Sequence, residues 1–243
     1  SRRLHKFRNV EYLAADLLDN TSIEKHHSKL RDVTHILYAA LYEMDDLLSG
    51  WRHNEQIKTN TKMFENLMNI VSLYSPKLRH ISLLQGTKAY GIHVEPMKAP
   101  AKEKWPRHNH ENFYWHQEDI LKRMCKAKNW SFNIWRPQVV LGTAIGSPMN
   151  LVAAIAVYAT ICRETGMTFF QPKGTPVVTE ATDANLFAKA LEWAFNEPNA
   201  QNQTFNITNG DVLIWHHLWP DIADFFNVSM GPKGTKTLST ALP

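Results

Sequence analysis

The chain has 243 residues, 44% hydrophobic and 21% charged, with a formal net charge of +4. That is globular composition, long enough for one large domain or a domain with a subdomain. Four cations, Arg2, Arg3, Lys6 and Arg8, crowd the first eight residues and no basic stripe continues beyond them, which argues against a nucleic-acid surface. The terminal cluster suits a phosphate-bearing small molecule, or is simply a solvated end. The longest apolar run, Leu151 to Cys162, is too short to span a bilayer and reads as a buried helix. Cys125 and Cys162 make no disulfide framework, so a cytoplasmic chain without a membrane partner is expected.

Val10 to Ala15 is an apolar run read as a strand ending at Asp16. Asp19-Asn20-Thr21-Ser22 then offers N-cap candidates for a helix to about Leu30. Val33 to Ala40 reads as a strand, Glu55 to Tyr74 as a long amphipathic helix and Leu78 to Leu84 as a third strand. The proline-containing, charged stretch 89–111 reads as a loop over a site. Glu111 to Lys128 is helical in pattern, and Trp130 to Arg136 is a fourth strand. Short apolar strands alternating with helices predict a doubly wound parallel sheet with ligands beyond the strands' carboxyl ends. Asp16, Ala40, Lys88 and Val140 fall just past predicted strand ends.

After Pro137 the rhythm changes. A helix over Met149 to Arg163 is followed by helices at Ala184–Phe195 and Trp215–Phe226 and a strand at Thr204–Thr208. This predicts a dinucleotide-binding domain over residues 1–136 and a smaller mixed α/β substrate lobe over 137–243, part of which returns to the main sheet.

A dinucleotide fold opens with a strand and a glycine-rich turn under the pyrophosphate. Here the first glycine is Gly50, and no Gly-x-x-Gly-x-x-Gly run occurs. In the doubly wound order the first strand lies at the middle of the sheet, so its loss would leave two strands unpaired. The expectation is that an N-terminal segment precedes Ser1 in the natural protein; the alternative is a truncated homologue that binds cofactor poorly.

Two blocks carry the chemistry. Gly86-Thr87-Lys88-Ala89-Tyr90 puts a lysine past a strand, and Asn112-Phe113-Tyr114-Trp115-His116-Gln117-Glu118-Asp119 puts a tyrosine at a helix start. An ordinary short-chain dehydrogenase has lysine four residues after its tyrosine, on the same helical face; here that residue is Glu118. With Val33 to Tyr38, Arg136-Pro137, Val140, Gly142, Met149-Asn150, Val157-Tyr158-Ala159 and Phe205 to Asp211, these blocks resemble the progesterone 5β-reductase/iridoid synthase-like (PRISE) family. This is an atypical branch of the extended short-chain dehydrogenases/reductases, and the likeness runs from Arg2 to about Phe226.

The resemblance implies NADPH-dependent reduction of an activated C=C bond in a small apolar enone or enal, with Tyr114 and Lys88 catalytic. It implies cofactor contacts at Arg2, Arg3, Asp16, Leu17, Ala40, Leu84, Tyr114, Val140, Ser147, Pro148 and Met149. Ala40 and Leu84 replace the family's usual threonine and glutamine, Gln85-Gly86-Thr87 stands for a Thr-Gly-Arg type run, and Trp115 for a second tyrosine. In such a reaction a phenol aimed at the substrate carbonyl stabilises the enolate oxygen, and a nearby ammonium would lower the phenol's pKa. Arg2 and Arg3 would meet the 2′-phosphate of NADP. Phe113, Trp115 and Trp105 are candidates for pocket walls, or for core.

His108, His110 and His116 lack a standard ligand spacing, so no metal is expected. Two other readings stay open: a non-catalytic NADP-binding regulator, and an extended dehydrogenase or epimerase acting on a carbonyl or sugar nucleotide. A homodimer is a candidate assembly.

Overall fold

The computed structural model describes residues 8–45, 50–144, 150–173 and 176–234. They fall into two units. The larger runs to Gln138 and includes Ala188–Ile207; the other comprises Val139–Phe187 and the segment from Thr208.

In the larger unit, β1 (His35–Tyr38), β2 (His80–Leu84), β3 (Ser131–Pro137) and β7 (Gln203–Ile207) form a parallel sheet in the order β1-β2-β3-β7. The four parallel strands add in one direction, as in one half of a doubly wound Rossmann sheet, in keeping with the alternation of strand and helix. Helices α3 (Asn54–Tyr74) and α4 (Phe113–Lys128) cover one face. Phe64, Met68, Ile81, Leu83, Leu121 and Ile134 meet there with no side chain measurably exposed, each such burial stabilising by about 1.5–3 kcal/mol. The opposite face meets the second half of α6 (Ala184–Asn196), where Phe195 packs 5.0 Å from His35 and 5.2 Å from His80 between ring centroids. That face is more polar than an alternating apolar run suggests. His80 bonds the hydroxyls of Ser131 and Ser82, and Asn133 bonds the Ala200 carbonyl.

Local signals set the helix ends. His53 caps α3, and the helix stops at Ser75, which Pro76 holds out of the helical region. Asn112 caps α4 by accepting from the Tyr114 amide, and Asn129 closes it at φ +56°. The predicted helix from Asn20 to Leu30 is two short helices, α1 (Asn20–Glu24), capped by Asp19, and α2 (His27–Leu30).

Val10–Ala15 is not a strand; its residues are exposed. Apolar composition makes a strand only where a neighbour takes the backbone groups, and among the described residues β1 is paired on one side alone. The Ala14 carbonyl is instead bonded by the His26 ring at 2.9 Å.

The other unit holds strands the apolar pattern did not reveal. β4 (Val139–Leu141), β6 (Thr179–Asp183) and β8 (Val212–Leu213) form one sheet, and β5 (Phe169–Pro172) pairs with β9 (Met230–Gly234). They are too short for a period of two to show. Helix α5 (Leu151–Thr165) and helix α7 (Trp215–Phe226) pack there around Phe169, which stacks on Trp219 at 4.6 Å. Pro220 lies inside α7 and cannot bond the His216 carbonyl, which Gln171 Nε2 takes at 3.0 Å. Among the described residues no helix is long and apolar enough to cross a membrane.

Candidate active site

The carboxyl ends of β1, β2 and β3 lie side by side, since Tyr38 is level with Leu83 and Leu84 with Trp135. Ala40 follows β1, exposed, and Leu84 ends β2, half-buried. Beyond Leu84 the chain runs through Gln85 and Gly86 into a 3₁₀ turn, Thr87–Tyr90, ended by Gly91 at φ +80°. A Cβ at Gly91 would also lie 2.8 Å from the His108 ring, so two constraints select glycine there.

Asn112 joins the two sequence blocks. Fully buried, it accepts from the Tyr114 amide at 3.0 Å and donates to the Lys88 carbonyl at 3.0 Å. Gln85 adds a second tie, its Nε2 donating to the Tyr114 carbonyl at 3.0 Å. Tyr114 Oη lies 3.8 Å from where a Cβ on Gly86 would stand, so the phenol reaches the strand-end rim.

Lys88 and Tyr114 meet on Trp51, a residue no motif singled out. The Lys88 ammonium lies 3.9 Å from the Trp51 ring centroid, and the Tyr114 ring packs against the same indole at 5.1 Å. Trp51 Nε1 donates to Glu43 at 3.3 Å. Glu43 is placed by its neighbours, because Asn60 and Gln56 on α3 hold the chain on either side of it, Asn60 bracketing Tyr42 and Gln56 accepting from the Met44 amide. Trp51 and Glu43 are the site residues the sequence reading missed. A lone tryptophan and a lone glutamate in a loop carry no spacing signal.

The electrostatics differ from the expectation of a phenol acidified by lysine. Burial, and then the Glu43 carboxylate, push Tyr114 well above the usual tyrosine range. Lys88 is lowered by burial, with Glu43 opposing. Among the described residues no hydrogen bond joins the two side chains; the ammonium is held by the indole face. The Tyr114 phenol is therefore kept neutral rather than poised as a phenolate.

Glu118, in the usual lysine position, is buried in an ion cluster. Burial pushes its carboxyl up, but Arg136 and Lys122 outweigh this and hold it below the ordinary range. Phe113 is fully buried under Trp51 at 4.7 Å, so it is core and not a pocket wall. Trp115 is buried against His110 at 4.8 Å, and Trp105 stands 6.2 Å from the Tyr90 ring, half-buried.

Asp16 follows no strand; it is exposed, and its carboxylate accepts from the Leu18 amide in its own turn. The Leu17 carbonyl is taken by Asn66 at 2.9 Å. Val140 lies within β4, not past a strand end, in the other unit, and is exposed. Arg2, Arg3, Ser147, Pro148 and Met149 lie outside the described residues. His108 bonds His110 at 2.8 Å, and among the described residues no group of histidine, cysteine and acidic side chains has metal-binding geometry.

A parallel sheet with a tyrosine and a lysine gathered at its strand ends defines a Rossmann-fold domain of the short-chain dehydrogenase/reductase class. The chain belongs to the family described as the PRISE-like Rossmann-fold domain, which matches residues 10–240. Among curated relatives it is 35% identical to an (S)-8-oxocitronellyl enol synthase of Catharanthus roseus, over 91% of this chain and 57% of that protein. It is 32% identical to a 3-oxo-Delta(4,5)-steroid 5-beta-reductase of Arabidopsis thaliana, over 90% of this chain and 57% of that protein. The chain thus spans a little over half the length of these relatives. Among solved structures, the fold is shared with RMD from Pseudomonas aeruginosa complexed with NADPH (TM-score 0.72, 16% identity, 90% of this chain and 73% of that one). It is shared likewise with the UDP-glucose 4-epimerase of Thermus thermophilus in complex with NAD (TM-score 0.71, 16% identity, 95% and 73%).

Proposed function

We propose that this chain serves NADPH-dependent 1,4-reduction of an activated C=C bond in a small apolar enone or enal, with Tyr114 as the donor to the substrate's carbonyl oxygen. The observation that carries this reading is the convergence of Tyr114 and Lys88 on Trp51 at the strand-end rim. The family relatives, an enol synthase and a steroid 5-beta-reductase, support it.

The residues at the rim fit a nicotinamide. Lys88 offers a half-buried ammonium, Tyr114 a phenol near the Gly86 backbone, and Ala40 and Leu84 offer main-chain groups at the ends of two parallel strands. By the family resemblance, Arg2 and Arg3 would select the phosphorylated dinucleotide. When bound, the nicotinamide supplies hydride to the β-carbon of the substrate.

Charge then builds on the carbonyl oxygen. A neutral phenol donating to that oxygen stabilises the enolate without needing to ionise first, and solvent would supply the proton that the α-carbon takes to complete the reduction. Its raised pKa keeps the proton on Tyr114 at neutral pH. Lys88 adds positive potential beside the pair, the Trp51 face holding its ammonium in a partly dry setting. Glu118 is committed to Arg136, so it offers no substitute for the lysine of an ordinary dehydrogenase.

The test is Tyr114→Phe. NADPH oxidation with an enone panel should fall by about 100-fold, while NADPH affinity by calorimetry stays near wild type. Unchanged turnover removes Tyr114 from the mechanism. A wild-type chain that binds NADPH and turns over no enone is a cofactor-binding regulator instead.

A further inference from the structure

Glu118 lies one helical turn beyond Tyr114 on α4 and is almost wholly buried, its side chain 4% exposed. Its Oε1 accepts from Arg136 at 2.8 Å; its Oε2 accepts from Lys122 at 3.1 Å and from Arg107 at 3.3 Å. Arg136, itself 8% exposed at the end of β3, has two further contacts. Its Nε donates to Gln85 Oε1 at 3.4 Å, and its guanidinium lies 4.8 Å over the Tyr90 ring. Gln85 passes the tie to the Tyr114 carbonyl. Tyr90 closes the turn that carries Lys88 and donates its hydroxyl to Asn206 on β7 at 2.6 Å.

We propose that Glu118 is a positioning residue that, through Arg136, fixes the Tyr114 end of α4 and the Lys88 turn relative to each other without touching substrate. The proposal rests on the reading of Tyr114 and Lys88 as the reacting pair. A buried carboxylate that loses its charge leaves Arg136 uncompensated. The guanidinium must then find other acceptors, and its hold on Gln85 and Tyr90 goes with it. A displacement of about 1 Å in such a pair costs up to about 100-fold in rate. The same geometry means that Glu118→Lys does not restore an ordinary tyrosine–lysine pair, because it sets a second cation against Arg136.

The test uses the full chain carrying ring-labelled [ζ-13C]tyrosine, with the Tyr114 resonance assigned by Tyr114→Phe. Glu118→Gln should move or broaden that resonance with no cofactor or substrate present. It should also lower kcat for enone reduction by about 10- to 100-fold, with KM within about 3-fold of wild type. The shape of the kcat–pH profile should stay as in wild type. Glu118→Asp, which keeps the charge, should retain fold and recover part of the rate, and carries the test if the glutamine variant does not fold. An unmoved Tyr114 resonance with unchanged kcat overturns the proposal. So does loss of one limb of the pH profile, which would make Glu118 a proton-transfer group. A wild-type chain without enone turnover, in which Glu118→Gln still moves Tyr114, keeps the clamp and removes the functional reading.

Discussion

Lys88 rests its ammonium 3.9 Å from the centre of the Trp51 ring and makes no hydrogen bond to Tyr114 among the described residues. The indole is therefore the element common to both side chains. A cation over tryptophan gains about 1–2 kcal/mol when partly desolvated. Trp51 is also 3% exposed and packs on Phe113. Trp51→Leu should destabilise the chain by about 3 kcal/mol in urea unfolding and lower enone turnover by more than Trp51→Phe does. Equal turnover in the two variants would show that the aromatic face is not what places the lysine.

The phenol of Tyr114 should stay protonated across the working range. Its pKa is raised by burial and then by Glu43, so the neutral form predominates across that range. Turnover should show no alkaline loss attributable to Tyr114 between pH 7 and about 9. A difference titration at 295 nm of wild type against Tyr114→Phe should show no absorbance step below about pH 10. A step near neutrality would establish a phenolate and reverse the assigned role.

Asn112→Ala removes the α4 cap and the bond to the Lys88 carbonyl together. The cap alone is worth about 1 kcal/mol, and the donated bond adds about 0.5–1.5 kcal/mol, because the Lys88 carbonyl keeps the Gly91 amide at 3.2 Å. Thermal unfolding should register their sum. Asn112→Ser should recover the cap and not the donated bond, falling between Asn112→Ala and wild type; a variant as unstable as Asn112→Ala would refute this division.

His80 makes stability sensitive to acid. Burial, and then His35, pull its pKa down to about 4 from the usual value near 6.5. The folded chain thus keeps His80 neutral where the unfolded chain takes up a proton. No stability is lost above the unfolded pKa. Loss begins as pH falls below about 6.5 and is complete near pH 4, where the folded form also protonates, on the order of 2–3 kcal/mol in all. His80→Gln should flatten the fall in Tm between pH 7 and pH 4.5. An unchanged slope would place the acid sensitivity elsewhere.

Much of the larger unit is legible in the amino-acid order. The apolar runs around His35–Tyr38, His80–Leu84 and Ser131–Pro137 became strands, and α3, α4 and α7 follow their apolar stripes and caps within a residue or two. Each is a local property: a run, a period, a capping side chain, a proline. The blocks at Gly86–Tyr90 and Asn112–Asp119 likewise carry the family resemblance residue by residue, because tyrosine, lysine and a displaced glutamate are readable one by one.

What the order of residues could not supply is who stands opposite whom. Val10–Ala15 is as apolar as a strand yet has no strand neighbour, and the short strands β4, β5, β6, β8 and β9 exist only through pairing partners far along the chain. Trp51 and Glu43 enter the site because Asn60 and Gln56 fold their loop onto α3. The sequence by itself determined which groups this protein owns and which segments are helical. Tertiary structure decided that lysine would bind an indole, that the phenol would be pushed above its ordinary pKa, and that the glutamate would answer an arginine. Desolvation and charge pairing depend on neighbours in space, and spacing along a chain does not encode them.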